Sequence, residues 1–156
     1  MDKQSFERLY LELLPGLYRL AQGILRQPAD AQDAVQQAAI KAWLALNRLP
    51  PGGERAYFAR IVINECRNIQ RQRMRVFPAE VPPAVAPTPP DYQDLYGAIF
   101  QLPDELRLPL LLKYAQGLSE KEAAKALGIP VTTFKNRLHR ARKALRKTLD
   151  REVTFE

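Results

Sequence analysis

The sequence holds one cysteine, Cys66, and one histidine, His139, among 156 residues. A lone cysteine cannot build an internal disulfide framework, and one cysteine with one histidine cannot complete a zinc site. Both lie in basic, helix-like surroundings, which argues against a Cys–His nucleophilic pair. Glycine is scarce too, at seven residues, and no Gly-rich phosphate loop is present. With aromatics at 8%, packing has to lean on Leu, Ala, Ile and Val. No apolar run approaches the length of a membrane span. The opening Met1-Asp2-Lys3-Gln4 lacks the basic-then-apolar form of a signal peptide. These absences point to an intracellular chain with no membrane insertion, no metal, no cofactor and no catalytic residue of its own.

Positive charge is what the sequence has in excess. Lys+Arg number 24 against 17 Asp+Glu, a formal net charge of +7. A balance of that size suggests a polyanionic partner, nucleic acid first. The length suits one ordinary domain or two small ones. Residues 77–90, FPAEVPPAVAPTPP, favour two, being proline-rich, aperiodic and without a base, the composition of an extended tether. Residues 1–77 carry 12 Lys+Arg against 7 Asp+Glu, and residues 95–156 carry the same counts, so each is near +5. The segment 78–94 holds Glu80, Asp91 and Asp94 and no base. The expected architecture is all-α: a helical module over 1–77, a linker over 78–94, and a second helical module over 95–156. Such a tether leaves the relative placement of the modules open.

Neither module shows the alternation of a strand. In the first, Phe6, Leu9, Tyr10, Leu13, Leu17, Leu20 and Ile24 recur at three-to-four spacing, an amphipathic stripe kinked or broken at Pro15-Gly16. Pro28 and Asp30 mark a second start, with Asp30 or Asp33 as its cap. Pro50-Pro51-Gly52-Gly53 ends that helix region, and a third helix runs over about 54–75. In the second module, helices are expected over 95–102 and 106–114, with Pro109 tolerable only in a first turn. Ser119-Glu120-Lys121-Glu122 has capping-box form, and Gly128-Ile129-Pro130 turns the chain into a last helix through about 149.

Residues 119–149 therefore read as a helix-turn-helix. At 100° per residue, Phe134, Leu138, Ala141 and Leu145 share one side of the last helix. Lys135, His139, Arg142 and Arg146 share another, with Thr132, Asn136 and Lys143 beside them. A duplex-reading helix needs an apolar side that fixes it and a polar N-terminal part that reaches base edges. Thr132, Thr133, Lys135, Asn136, Arg137, His139, Arg140 and Arg142 are the candidate duplex contacts, the cations further along taking phosphates.

In the third helix, Arg60, Asn64, Arg67, Arg71 and Arg75 fall in one narrow stripe, flanked by Arg55, Tyr57 and Arg73. A one-sided Arg and Asn row suits a nucleic-acid backbone, and Tyr57 can stack on an unpaired base. A solvated charged face explains the stripe equally well. Asp30, Gln32, Asp33, Gln36 and Gln37 precede Lys41 and Trp43. Helix capping and a polar face account for these residues, with a protein-docking face as the alternative. Cys66 reads as a small hydrophobe at the apolar border of its helix, and Trp43 as core or partly buried.

The order of these parts resembles a bacterial RNA polymerase sigma factor of the extracytoplasmic-function group. LPDELRLPLLLKYAQGLSEKEAAKALGIPVTTFKNRLHRARKALRKTL is similar to that group's fourth region. DAQDAVQQAAIKAWLAL and then YFARIVINECRNIQRQRMR are similar to its second, and FERLYLELLPGLYRLA fits the helix that opens it. The resemblance implies promoter recognition, promoter opening and transcription initiation. It implies that the helix over 30–43 docks on the clamp helices of the polymerase's largest subunit, through Asp30, Asp33, Gln36, Gln37 and Lys41. Asn47, Arg55, Tyr57, Arg60, Asn64, Arg67 and Arg71 would hold the melted minus-ten element as a single strand. Residues 132–146 would read the minus-thirty-five element as duplex. The linker would thread the active-site and RNA-exit channels. The implied partners are core RNA polymerase, promoter DNA and an anti-sigma factor; the implied location is the cytoplasm, near the membrane when the anti-sigma factor is membrane-bound. Gln37 stands where the family usually has Glu, and Ala39 where it has a large apolar residue. These departures motivate a second reading, a sigma-like DNA-binding regulator that does not dock on polymerase.

Overall fold

A computed structural model describes residues 1–76 and 93–154. Every regular element among them is helical: α1 (Lys3–Leu25), α2 (Pro28–Leu44), α3 (Glu54–Val76), α4 (Gln93–Gln101), α5 (Asp104–Leu110), α6 (Glu120–Leu127) and α7 (Val131–Thr154). A 3-10 turn at Leu46–Arg48 precedes α3, and a π turn at Leu111–Ala115 follows α5. The all-α expectation agrees with this architecture. The linker expected over 78–94 lies outside the described residues except at its end, where α4 begins. No helix among the described residues is long and apolar enough to cross a membrane.

Pro15-Gly16 neither kinks α1 into two elements nor breaks it. Leu13 before the proline, and Leu17, Leu20, Ala21 and Ile24 after it, are all buried in the same core, so packing outweighs one missing backbone bond. Asp2 caps α1 by accepting the Ser5 N–H at 2.7 Å. For α2 the expected cap is corrected. Gln27 is the N-cap and makes no side-chain cap bond, while Pro28 opens the helix, where no N–H is needed. Asp30 lies in the first turn instead. The helices α1, α2 and α3 pack on one another, with Phe58 of α3 fully buried and its ring 5.6 Å from that of Phe6. Trp43 lies edge-on to Phe6 at 5.3 Å with 39% of its surface exposed.

In the second module α5 starts at Asp104, so Pro109 falls beyond the first turn, contrary to the sequence expectation. Pro109 gives the helix ladder no donor. The chain passes straight into the π turn, where the Gln116 N–H bonds the Leu111 carbonyl at 2.9 Å. The capping box forms as expected: Ser119 Oγ accepts the Glu122 N–H and the Glu122 carboxylate accepts the Ser119 N–H, both at 3.1 Å. Gly128, at φ +68°, ends α6 in the left-handed conformation that glycine takes without strain.

One cluster of buried side chains runs through both halves of the chain. Along the seam, α1 packs on α4 and the π turn, and α3 packs on α6. Gly16 and Gly23 bring the bare backbone of α1 against Ala115, Gln116 and Leu111. The Arg19 Nε–H donates to the Ala115 carbonyl at 3.2 Å, and the Arg26 guanidinium sits 4.3 Å from the Phe100 ring centroid. Gln116 is buried there, its side-chain nitrogen and oxygen both without a hydrogen-bond partner among the described residues.

Candidate nucleic-acid interface

The helix-turn-helix fixes α7 through Phe134, Leu138 and Ala141, all fully buried against α5 and α6. Ala123 and Ala124 are likewise buried, and their small side chains let α6 approach. The side of α7 opposite these anchors carries Thr132, Asn136, His139 and Lys143, all exposed. None of the four makes a hydrogen bond or ion pair among the described residues. Lys143, which periodicity sets beside the candidate duplex contacts, stands at the centre of the outward stripe, opposite the buried Phe134 and Ala141.

The other charged candidates lie on the flanks of α7 and are engaged within the protein. Arg140 pairs with Glu105 of α5 at 2.8 Å, and Arg137 approaches the same carboxylate oxygen at 3.9 Å. Lys135 faces Glu120 of α6 at 3.8 Å. Arg142 donates from Nε to the Tyr114 hydroxyl at 2.8 Å and stands 5.5 Å from that ring's centroid. Thr133 is half-buried near the helix start.

On α3, Arg60, Asn64, Arg67, Arg71 and Arg75 are all exposed on one face, as their spacing requires. Tyr57 is half-buried and packs on the core at the N-terminal end of this face. Asn47 is exposed on the 3-10 turn. Arg55 and Arg73 do not flank the stripe. Helical geometry turns both to the side of α3 that carries Ala59, Val62 and Cys66. Arg55 donates to the Gly117 carbonyl of the second module at 3.4 Å, and its Nε is buried without a partner. Arg73 pairs with Asp30 at 2.5 Å. The structure thus brings Arg60, Asn64, Arg67 and Arg71 together and turns Arg55 away from them.

On α2, Asp33, Gln36 and Gln37 are exposed. Asp30 is held by Arg73, and Lys41 forms an ion pair with the buried Glu65 of α3. A polar groove of about 1020 Å³ separates the two helices, with Asp30, Asp33, Gln37 and Lys41 on one wall and Glu65, Arg71 and Arg75 on the other. The groove is thus bordered by Asp33 and Gln37 of the acidic-amide face and by only the C-terminal end of the arginine stripe, Arg71 and Arg75. Cys66 contributes no chemistry: burial, and then the neighbouring Glu65 charge, push its thiol up to about 12.

Comparison with known proteins agrees with this layout. The family model described as sigma-70 region 2 matches residues 9–76, and the one described as sigma-70, region 4 matches residues 92–145. The chain is 30% identical over 157 residues to the RNA polymerase sigma-E factor of Streptomyces antibioticus, covering 94% of this chain and 85% of that one. It is 29% identical over 158 residues to the ECF RNA polymerase sigma factor SigE of Mycolicibacterium smegmatis, covering 93% of this chain and 62% of that relative's length. Among solved structures it matches the sigma factor RpoE in complex with the anti-sigma factor NepR from Bartonella quintana, with a TM-score of 0.82 and 28% identity, over 94% of this chain and 98% of that one. A chain that carries both regions in this order, on these helices, belongs to the RNA polymerase sigma factors, in their extracytoplasmic-function group.

Proposed function

We propose that the chain binds core RNA polymerase and directs promoter recognition, promoter opening and transcription initiation. Residues 1–77 form the module that meets polymerase and the minus-ten element, 78–94 the linker, and 95–156 the module that meets the minus-thirty-five element. The observation that carries the reading is the unengaged stripe Thr132, Asn136, His139 and Lys143 on α7, whose opposite side is buried. It shares a chain with the exposed Arg60, Asn64, Arg67 and Arg71 on α3. The first set suits base edges of a duplex, and the second suits the backbone of a separated strand. Asp33, Gln36 and Gln37 offer polymerase a polar, non-basic face. The chain supplies specificity and strand capture, and polymerase supplies the chemistry. That role belongs in the cytoplasm, where polymerase and DNA are.

An anti-sigma factor is the further partner. A cavity of about 630 Å³ between α1, α4 and α7 has an apolar floor of Ile99, Leu110, Leu111 and Leu145, with Arg19, Arg142 and Arg146 at its edge. Three arginines against the single acidic lining residue, Asp150, leave the site net basic, which suits an amphipathic helix with acidic flanks. The second reading, a regulator that ignores polymerase, rests only on Gln37 and Ala39. The pairing of both regions in one chain supports the first. Run-off transcription with core polymerase on random promoter fragments tests it: transcripts should begin downstream of a shared two-part sequence. Loss of polymerase binding in pull-down, with duplex binding kept, would establish the regulator instead.

A further inference from the structure

The cations of α7 do not all face the same way, and a carboxylate of α5 stands between two of them. Glu105 sits in the first turn of α5 and is itself about half exposed. Its Oε1 lies 2.8 Å from Arg140 Nη2 and 3.9 Å from Arg137 Nε. Two guanidiniums on the α5 flank of the helix therefore share one carboxylate oxygen. The outward stripe, Thr132, Asn136, His139 and Lys143, has no acidic neighbour within ion-pair distance among the described residues.

That division separates two kinds of affinity. Non-specific duplex binding is almost wholly electrostatic and grows with the number of cations that reach phosphates. Discrimination between sequences comes from base-edge contacts. A carboxylate beside the flank arginines opposes the first and leaves the second alone. It repels phosphates, and it holds Arg137 and Arg140 in a pairing they must give up to reach the backbone. An exposed pair of this kind contributes little to folding, so its effect is on the surface field rather than on stability.

We propose that Glu105 is a specificity-determining residue of the duplex-reading face, restraining Arg137 and Arg140 so that the chain does not bind DNA of arbitrary sequence. The proposal rests on the reading of α7 as a duplex-binding helix. Glu105→Gln is the informative variant, since the amide keeps the shape and can still accept from Arg140 while the charge is lost.

The full chain is titrated with salt against a duplex of random sequence, and holoenzyme reconstituted with core polymerase is titrated against a promoter duplex and its scrambled upstream element. Glu105→Gln should steepen the log–log salt slope on random duplex by about one to two units, since each phosphate contact contributes about 0.9. Random-duplex affinity at low salt should rise about tenfold, and the ratio of promoter to scrambled affinity should fall by a similar factor. Adding Arg140→Ala to Glu105→Gln should return the slope most of the way to that of the parent chain. An unchanged or shallower slope in Glu105→Gln would overturn the proposal and leave Glu105 as a tie between α5 and α7. Duplex binding absent from parent and variant alike would instead overturn the reading of α7 and the proposal with it.

Discussion

Gly23 of α1 stands so close to Leu111 that a Cβ atom on it would lie 2.4 Å from Leu111 Cδ2. Leu111 is only 2% exposed, so it has little room to swing aside. Gly23→Val should cost about 1–3 kcal/mol through overpacking. The urea midpoint should drop, and the radius of gyration from X-ray scattering should increase as the seam gives way. No change in either would mean that Leu111 repacks.

Gln116 gives the opposite prediction at the same seam. Its buried amide has no partner on either atom among the described residues, a loss of about 1–3 kcal/mol where water does not reach it. Gln116→Leu should raise the unfolding free energy by an amount of that order, measured by urea titration, and should lower transcription in the reconstituted run-off assay.

Lys41 and Glu65 tie α2 to α3 with one partner exposed and the other buried. Lys41→Met should destabilise the chain by about 1–3 kcal/mol, because it leaves a buried carboxylate without its cation. Lys41→Met with Glu65→Met should recover much of that loss, and the difference in a double-mutant cycle gives the coupling. A double variant as unstable as the single one would locate the effect in packing rather than charge.

The Cys66 thiol titrates at about 12 in the folded chain against an ordinary value of 9.0. The native state therefore keeps a proton that the unfolded chain releases above pH 9. This contribution to stability is fully present below pH 9 and is lost as pH rises toward 12, at up to about 1.4 kcal/mol per pH unit. Cys66→Ala should flatten the fall of stability across that window. A thiol reagent at pH 8 should label Cys66 only after denaturation.

Arg60 and Arg67 are exposed and hold no ion pair among the described residues. Arg60→Ala and Arg67→Ala should leave the thermal midpoint within about a degree or two, as for surface sites generally. Each should reduce the salt slope for single-stranded DNA by about 0.7. Permanganate footprinting of the holoenzyme should show less promoter opening. Slopes equal to the parent chain's would mark the stripe as a solvated face.

Periodicity was enough to read the helices, the capping box, the exposed α3 stripe and the buried side of α7, because each depends on local spacing. Three features were not legible in it. Arg55 and Arg73 are near the stripe in sequence, and 100° per residue already turns both to the buried side; what packing alone reveals is that their partners there are the Gly117 carbonyl and Asp30. Asp30 looked like a cap, but its partner is Arg73, 43 positions along the chain and visible only once α2 and α3 are packed. Pro109 looks misplaced for a helix interior, yet it is buried inside α5, just before the π turn. The placement of the two modules could not be read at all, since a proline-rich tether fits many arrangements and the seam is specified by Gly16, Gly23 and Leu111, residues with no motif.

The seam joins close glycine contacts to two buried polar groups that lack partners, the Gln116 amide and the Arg55 Nε. Favourable packing and unmet polarity oppose each other there, which narrows the free-energy gap between the joined arrangement and a separated one. A partner shifts such a balance only through its unequal affinity for the two forms. One that binds only the separated modules and one that binds only the joined pair are therefore antagonists even if they touch no residue in common, with the coupling passing through the seam.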